Sequence, residues 1–144
     1  MMNPYFEQTV MNAGPVELIQ LLHQKAIGCV RDARSHLQHG RIADRAKVIG
    51  DAYAVIAELQ RSLRPEVAPD LSGRLQGLYL YMQRRLLEGN FSQSDPPLAE
   101  VLALLTTLAE GWNGIVKQSG SRVEAADRRG VRQQESVYAQ MVPA

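Results

Sequence analysis

Apolar residues recur every three or four positions along this chain, in four stretches separated by short polar connections. This spacing puts the apolar side chains on one stripe of an α-helix, because a helix turns about 100° per residue. No stretch alternates apolar and polar residues as a half-buried strand would. Short connections make neighbouring helices antiparallel. The pattern therefore predicts an all-α fold, an antiparallel up-and-down four-helix bundle.

The first two predicted helices have clear boundary signals. Pro15 suits the first position of a helix, and Gly40 suits the left-handed conformation that ends one. A second helix is expected from about Ile42 to Leu63, since Arg64-Pro65 cannot continue it. The inward stripes are expected to be Leu18, Leu22, Ala26, Val30, Ala33 and Leu37 in the first helix, and Ile49, Ala52, Ile56, Leu59 and Leu63 in the second.

The third and fourth predicted helices meet at a polar turn. The third is expected to end near Gly89-Asn90, and Ser94-Asp95-Pro96-Pro97 caps and starts the fourth. Their stripes are expected to be Leu71, Leu75, Leu78, Met82 and Leu86 in the third helix, and Leu98, Val101, Leu102, Leu105, Leu108 and Trp112 in the fourth.

These helices divide the chain into three parts: an extended N-terminal segment at 1–14, the bundle at 15–119, and a tail at 120–144. A chain of 144 residues with 45% hydrophobic residues is long enough for one domain with its own core. Ser121 and Glu124 have the spacing of a capping box, but few apolar anchors follow them. The tail is therefore expected to be a marginal helix or mobile.

Charge and composition exclude several classes of partner. Sixteen basic and fifteen acidic residues give a net charge of +1, too small to attract nucleic acid or an anionic membrane surface. The longest apolar window, Val101 to Ala109, is too short to cross a bilayer. The N-terminus has neither the basic nor the apolar part of a signal peptide. The single cysteine, Cys29, is expected in the core, and a lone cysteine suits a reducing cytosol.

Catalytic and cofactor patterns are absent from the sequence. The three histidines, His23, His36 and His39, do not have the spacing of metal ligands on one helical face. No glycine loop follows a strand, so no phosphate-binding cradle is expected. The prediction is a non-enzymatic protein without metal or cofactor. One alternative remains open, because a histidine four residues before a glycine, as at His36 and Gly40, also occurs in four-helix phosphotransfer proteins, although their motif has leucine and lysine at other positions.

The third helix has more apolar residues than a bundle core can use. From Leu78 to Leu87, seven of ten positions are apolar or aromatic, against roughly three in seven for an ordinary core-facing helix. Leu78 and Met82 are expected to face inward. The helix faces that the core does not use are expected to carry Val48 and Val55 on the second helix, and Tyr79, Leu80 and Tyr81 on the third.

An apolar groove between the second and third helices would accept an amphipathic or extended protein segment. Tyr81 and Arg85 are the expected contacts, since they lie about 100° from the inward stripe. A homodimer or a dimeric helical adaptor that buries the same surface is the alternative.

Four glycines interrupt the predicted helices: Gly28, Gly50, Gly73 and Gly77. Each costs about 1 kcal/mol relative to alanine. Close backbone approach, between helices or to a bound chain, is one explanation, and simple tolerance of each glycine is the equally weighted alternative.

Several groups of residues, in order and in register from 3 to 116, resemble the flagellar secretion chaperone FliS family. None of these groups alone is specific to the family, but their combined order and spacing are. They are Asn3-Pro4-Tyr5; Asn12-Ala13-Gly14-Pro15-Val16-Glu17-Leu18 with Leu22 and Ala26-Ile27; Ile49, Ala52, Val55-Ile56, Glu58-Leu59 and Ser62-Leu63; Leu71, Leu75, Leu78-Tyr79, Tyr81-Met82 and Arg85-Leu86 with Asn90; and Leu98, Glu100-Val101 and Gly111-Trp112.

The resemblance implies a cytosolic, non-enzymatic four-helix chaperone. Such a protein binds the disordered C-terminal segment of flagellin, prevents premature polymerisation, and delivers flagellin to the gate of the flagellar type III export apparatus. It also implies that the N-terminal segment with Tyr5 can lie against the empty client site. The expected partner-binding residues are Tyr5, Val48, Ala52, Val55, Leu59, Leu75, Leu78, Tyr79, Tyr81, Met82 and Arg85.

The chain departs from that family's pattern in its first helix. His23 stands where the family usually has tyrosine, and Lys25 where it has glycine. Gly14 precedes Pro15 in place of the usual serine or threonine, so the helix lacks a side-chain cap. The tail after residue 119 lies outside the resemblance. The resemblance therefore supports the fold more strongly than the identity of the client.

Overall fold

The computed structural model describes the backbone of residues 15–123 and the side-chain environment of residues 16–114. This part of the chain forms four helices and no strand, as predicted. They are α1 (Pro15–Gln38), α2 (Ile42–Arg61), α3 (Pro69–Ser92) and α4 (Asp95–Val123). Tyr5 and the rest of the predicted N-terminal segment lie outside the described residues, as does the tail beyond Val123.

The four helices pack as a closed ring. α1 and α3 each pack against both α2 and α4. Short connections join consecutive helices, so neighbours run antiparallel, and the predicted bundle is confirmed. The core between the helices holds large, almost fully buried side chains from all four of them, including Ile56, Tyr79, Leu105 and Trp112.

The helix ends follow local chemistry. Gly40 takes φ +68, so the predicted left-handed end of α1 is confirmed. α3 ends at Ser92, two residues beyond the predicted Gly89-Asn90, and Gln93 takes the left-handed conformation with φ 50. Gly89 serves a different purpose, because a Cβ there would lie 2.8 Å from Cδ2 of Leu98. Glycine therefore lets the end of α3 approach the start of α4.

Arg45 links the start of α2 to the end of α3. Its Nε donates to Oδ1 of Asn90 at 3.0 Å, and Nη2 donates to the Asn90 carbonyl at 3.3 Å. That carbonyl belongs to the last turn of α3 and has no partner within its own helix. The buried guanidinium therefore satisfies a helix end and lies at its negative pole, which stabilises both groups.

α4 is longer than the sequence predicts. Trp112 is buried, and its Nε1 donates to the Val16 carbonyl at 3.3 Å, where α1 begins. The helix then continues to Val123. Ser121 lies inside this helix, whereas Glu124, its partner in the capping-box spacing, lies outside the described residues.

Two expectations about the faces of the helices are corrected. Tyr79 is 2% exposed and faces the core, whereas Leu78 is only partly buried against it. The inward stripe of α3 is therefore Leu71, Leu75, Tyr79, Met82 and Leu86. Val55 is fully buried and does not lie on a free flank; the partly buried Val48 packs at the core's edge. α1 and α2 pack along this side, and their contact covers Val55.

The four mid-helix glycines do not allow helices to approach each other. A Cβ at Gly28, Gly50, Gly73 or Gly77 would meet nothing within 4 Å. Close approach between bundle helices is therefore wrong as their explanation, and close approach to a bound chain remains a prediction.

His23 is the one fully buried histidine among the described residues. Its Nδ1 lies 2.9 Å from the Ile19 carbonyl, and its Nε2 has no partner within the described chain. Burial disfavours the charged ring, so the pKa of His23 falls from 6.5 to about 4, although the bond to Ile19 opposes the shift.

Acidification should therefore destabilise the fold through His23. Between pH 6.5 and pH 4 the unfolded chain binds a proton that the folded chain does not, so stability decreases as pH falls, by about 3 kcal/mol at the lower limit. Urea unfolding at pH 7.5 and pH 4.5 measures this loss. A His23→Leu variant should lose less stability over the same interval, and equal losses in the two proteins would contradict the assignment.

Candidate functional site

Exposed apolar side chains gather along one side of the bundle. Six large apolar residues among the described side chains are exposed, and all six lie on α2 or α3. Helical spacing puts five of them towards the side where these two helices meet. We call this surface the α2–α3 seam, and its large apolar residues are Ile42 (58% exposed), Tyr53 (38%), Leu80 (47%), Leu87 (51%) and Phe91 (93%).

Hydrogen bonds identify the side of α3 that faces α2. Gln83 is 5% exposed and donates from Nε2 to the Tyr53 carbonyl at 3.3 Å. Its Oε1 accepts from Nε2 of Gln60 at 2.9 Å. Leu80 and Leu87 are three residues before and four residues after Gln83, so they lie on the same side of the helix. They therefore border the groove above this buried amide pair.

The opposing edge of α2 is made of small and apolar residues. Tyr53 and Gln60 fix the edge that faces α3. Helical spacing adds further positions to that edge: Ile42, Ala46, Gly50 and Ala57. Ala46, Gly50 and Ala57 are small, so the α2 wall of the seam leaves room for a chain to approach beside the larger Ile42 and Tyr53.

The opposite flank of α3 is polar and faces α4. The hydroxyl of Tyr81 donates to Oε1 of Glu100 at 2.6 Å, and Nε of Arg85 donates to the same atom at 2.7 Å. Two hydrogen bonds, the larger effect from Tyr81 and the smaller from Arg85, hold the pKa of the Glu100 carboxyl below its usual value. The sixth exposed apolar residue, Tyr81, is therefore tied to α4 and lies away from the seam.

The seam formed by α1 and α4, on the far side of the bundle, is polar by contrast. Arg34 binds Asp95 through two hydrogen bonds of 2.8 and 3.0 Å, and Gln20 donates to Asn113 at 3.1 Å. None of the six exposed large apolar side chains lies on α1 or α4. The apolar exposure thus belongs to one side of the bundle.

The residues predicted to bind a partner fall into different environments. Val48 and Leu78 are partly buried, Tyr81 and Arg85 lie on the α4 flank, and Tyr5 is outside the described residues. Six are in the core, where a partner cannot reach them without moving the helices: Ala52, Val55, Leu59, Leu75, Tyr79 and Met82. The expected location between α2 and α3 agrees with the exposed apolar surface, but the residues on that surface are mostly different ones.

Four residues of the seam were not predicted from the sequence: Ile42, Tyr53, Leu87 and Phe91. A signal was present, because residues 80, 84, 87 and 91 follow the helical spacing of one face. Leu78 to Met82 are consecutive and form the denser apolar cluster, whereas the stripe from 80 to 91 is interrupted by polar residues and is less apparent in the sequence.

Two kinds of functional feature are absent from the described residues. No group of three or more histidine, cysteine, aspartate or glutamate residues among them could hold a metal ion. No helix in the described part of the chain is long and apolar enough to cross a membrane. His36 is partly buried, and its buried Nδ1 has no hydrogen-bond partner among the described residues.

Comparison with known proteins gives one consistent result. The sequence model of the family described as flagellar protein FliS matches residues 1–119. The chain is 38% identical over 109 residues to the flagellar secretion chaperone FliSB of Pseudomonas aeruginosa, covering 76% of this chain and 86% of that protein. It is 33% identical over 110 residues to the flagellar secretion chaperone FliS of Salmonella typhimurium, covering 76% and 82%. The corresponding Bacillus subtilis protein is 28% identical over 131 residues, covering 89% and 93%.

Proposed function

The chain belongs to the FliS family of flagellar secretion chaperones, and from that premise we propose that it binds the C-terminal segment of flagellin along the α2–α3 seam. FliS proteins are chaperones and not enzymes, so a binding surface is the functional site to look for. The observation that carries the proposal is the concentration of five exposed apolar side chains on one side of the bundle.

The seam suits a segment that folds as it binds. Ordering a disordered segment costs about 2–5 kcal/mol, so its binding site must bury a long apolar track. Covering the exposed parts of the five seam side chains contributes roughly 1 kcal/mol each. Gly73 lies seven residues before Leu80, on the same side of α3, and Gly50 lies on the α2 edge of the seam. Nothing of the bundle occupies the space beside either glycine, so the client backbone can approach there. These contacts act against the cost of ordering the segment.

A client held in this way keeps its apolar face away from other flagellin molecules. That would prevent premature polymerisation in the cytosol, and release at the type III export gate would free the segment for assembly. The proposed partners are therefore flagellin and components of the export gate.

Titration calorimetry with the full chain tests the proposal. We expect a flagellin C-terminal segment to bind with one-to-one stoichiometry and a negative heat-capacity change, because apolar surface is buried. A peptide of the same composition in scrambled order is the control. Absence of heat with the native segment, at concentrations where the bundle is folded, would refute flagellin as the client.

Replacing Gly50 by alanine should strengthen the fold and weaken client binding. No neighbour lies within 4 Å of the added methyl group, so the helix gains about 0.5–1 kcal/mol of stability. The same methyl group would occupy space that the client backbone uses, and we expect affinity to fall about fivefold, or roughly 1 kcal/mol.

Gly28→Ala is the matched control for this prediction. Gly28 also has open space, but it lies on α1, away from the seam. Chemical denaturation should show both variants stabilised, whereas calorimetry should show weaker binding only for Gly50→Ala. Unchanged affinity in both would mean that the client does not approach the backbone at Gly50.

The N-terminal segment, with Tyr5, is proposed to compete with the client for the seam. Removing residues 1–13 leaves Pro15 at the start of α1 and should raise the affinity for the flagellin segment. Tyr5→Ala in the full chain should give a smaller increase in the same direction. Equal affinities of the full chain and the truncated protein would rule out this competition.

A dimeric adaptor that buries the seam against a second copy is the alternative to the chaperone proposal. The exposed seam favours neither arrangement by itself, because an apolar patch of this kind can pair with itself about a two-fold axis. Sedimentation velocity separates the two, since the chaperone should sediment as a monomer or as a weak, concentration-dependent dimer.

A further inference from the structure

We propose that Arg84 recognises a carboxylate of the bound client segment, in the middle of the apolar part of the α2–α3 seam. The inference rests on the proposed function, because it needs a client in the seam, and it adds the chemistry that this client must present there. Apolar side chains alone discriminate little between apolar segments, whereas a fixed charge among them selects a partner of opposite charge.

Arg84 lies between the apolar side chains of the seam. It is four residues after Leu80 and three residues before Leu87, so the three side chains share one side of α3. Along the helix axis these steps are about 6 Å and 4.5 Å. The neighbouring Gln83 donates to the Tyr53 carbonyl, which puts Arg84 close to the level of Tyr53 across the seam. A client that contacts both leucines therefore passes over Arg84.

The Arg84 guanidinium has no counter-ion within the described bundle. Its side chain is exposed, and no hydrogen bond or ion pair joins it to another described residue. Glu88 is the one acidic residue of α3 within about a turn of it, and its carboxylate accepts from Nη1 of Arg85 at 2.6 Å. Arg85 also binds Glu100 on α4, so this charge network points away from the seam. The positive charge of Arg84 is therefore available to a partner.

The two walls of the seam contain no acidic residue. The α2 wall consists of uncharged residues only: Ile42, Ala46, Gly50, Tyr53, Ala57 and Gln60. On the α3 wall, helical spacing adds Gly73 and Gln76 to the exposed apolar residues. Arg84 is therefore the only charged residue of these walls, and an anion for it has to come from the client.

An apolar chain laid over Arg84 would bind poorly. Contact with both Leu80 and Leu87 displaces water from the guanidinium between them, and a charge that loses water without gaining a partner opposes binding. A client carboxylate removes this cost, because guanidinium and carboxylate groups form two parallel, charge-assisted hydrogen bonds. The seam therefore favours a segment with an aspartate or glutamate between apolar residues, which lie about one turn away on each side if the segment is helical.

Replacing Arg84 in the full chain tests the contact by titration calorimetry. Arg84→Gln should bind the flagellin segment about fivefold more weakly, and Arg84→Glu at least about 20-fold, because the second variant repels the client carboxylate. Added salt should weaken binding of the unmodified protein more than binding of Arg84→Gln. The free energy of unfolding should stay the same in both variants, since Arg84 has no partner among the described residues.

Arg31 provides the matched control variants. It is an exposed arginine of α1 and, like Arg84, forms no hydrogen bond or ion pair with another described residue. Arg31→Gln and Arg31→Glu make the same changes of charge away from the seam, and both should bind the segment as the unmodified protein does. Equal losses of affinity for the Arg31 and Arg84 variants would overturn the proposal, because only the net charge of the protein would then matter.

A set of flagellin segments, each with one aspartate or glutamate changed to its amide, identifies the carboxylate. The proposal expects one of these segments to bind the unmodified protein about fivefold more weakly and to lose nothing further with Arg84→Gln. A lysine at that client position should restore binding to Arg84→Glu.

Two results of this cycle would overturn the contact while leaving flagellin as the client. One is an additional loss with Arg84→Gln for every segment of the set. The other is binding of Arg84→Gln and Arg84→Glu as tight as that of the unmodified protein, since the guanidinium would then reach water past the client. Failure of the unmodified protein to bind the native segment would instead refute the proposed function, and the Arg84 contact with it.

Discussion

Replacing Leu80 and Leu87 together by aspartate should reduce the affinity for the flagellin segment by at least about 100-fold, or roughly 2.7 kcal/mol. Both side chains are about half exposed on the seam, at 47% and 51%. Each aspartate removes an apolar contact and leaves a carboxylate that the bound client would have to desolvate. Because both positions face water in the free protein, the free energy of unfolding should change little.

A second pair of aspartates controls for charge and helix propensity. Ala103→Asp/Thr107→Asp places the same two charges, four residues apart, on the exposed face of α4. Calorimetry should show nearly unchanged binding for this variant, and circular dichroism should show both proteins folded. If the two double variants lose affinity equally, the α2–α3 seam is not the client site.

Replacing Val55 by aspartate should unfold the protein. Val55 has no exposed surface, so the carboxylate would enter the core without solvent or a designed partner. An unpaired buried charge costs several kcal/mol, which is comparable to the total stability of about 5–15 kcal/mol expected for a domain. Thermal unfolding followed by circular dichroism should show the cooperative transition lost or lowered by at least about 15 °C.

Val48→Asp provides the comparison on the same helix. Val48 is partly buried, so its aspartate can reach water and should cost less. The sequence alone suggests Val55→Asp as a test of client binding, but the structure shows that lost binding would only reflect lost fold. A melting temperature of Val55→Asp within a few degrees of the unmodified protein would contradict the core position of Val55.

Helical periodicity was enough to predict the fold. Pro15, Gly40 and the run from Ser94 to Pro97 marked ends that the structure confirms, and most stripe residues are buried. The exact face of α3 could not be predicted, because five consecutive apolar residues, Leu78 to Met82, contain no polar residue that marks the side facing water. The choice between Leu78 and Tyr79 depends on the directions of α2 and α4, which only the packed structure provides.

The seam was difficult to predict for a related reason. Ile42 and Tyr53 are separated by eleven positions on α2, and each looks like an isolated apolar residue on a solvated face. They become part of one surface only because α3 lies beside them and contributes Leu80, Leu87 and Phe91. A site formed between two helices depends on how the helices pack, so the sequence pattern of one helix alone does not predict it.

The buried polar residues illustrate the same limit. Gln83 and Arg45 are residue types that usually face solvent, although they lie four residues from the buried Tyr79 and Ile49 respectively. Gln83 bridges Gln60 and Tyr53, and Arg45 caps Asn90, so both depend on a neighbouring helix for their partners. Pairwise contacts of this kind are consequences of the tertiary structure.

The central claim is that this FliS-family protein holds a flagellin C-terminal segment in the α2–α3 seam, and methyl NMR during titration with that segment tests it most directly. We predict that the signals of Ile42, Leu80 and Leu87 shift in proportion to binding while that of Leu102, on the α1–α4 side, stays in place. Saturable shifts centred on Leu102, or no shift at any of these methyl groups, would contradict the account.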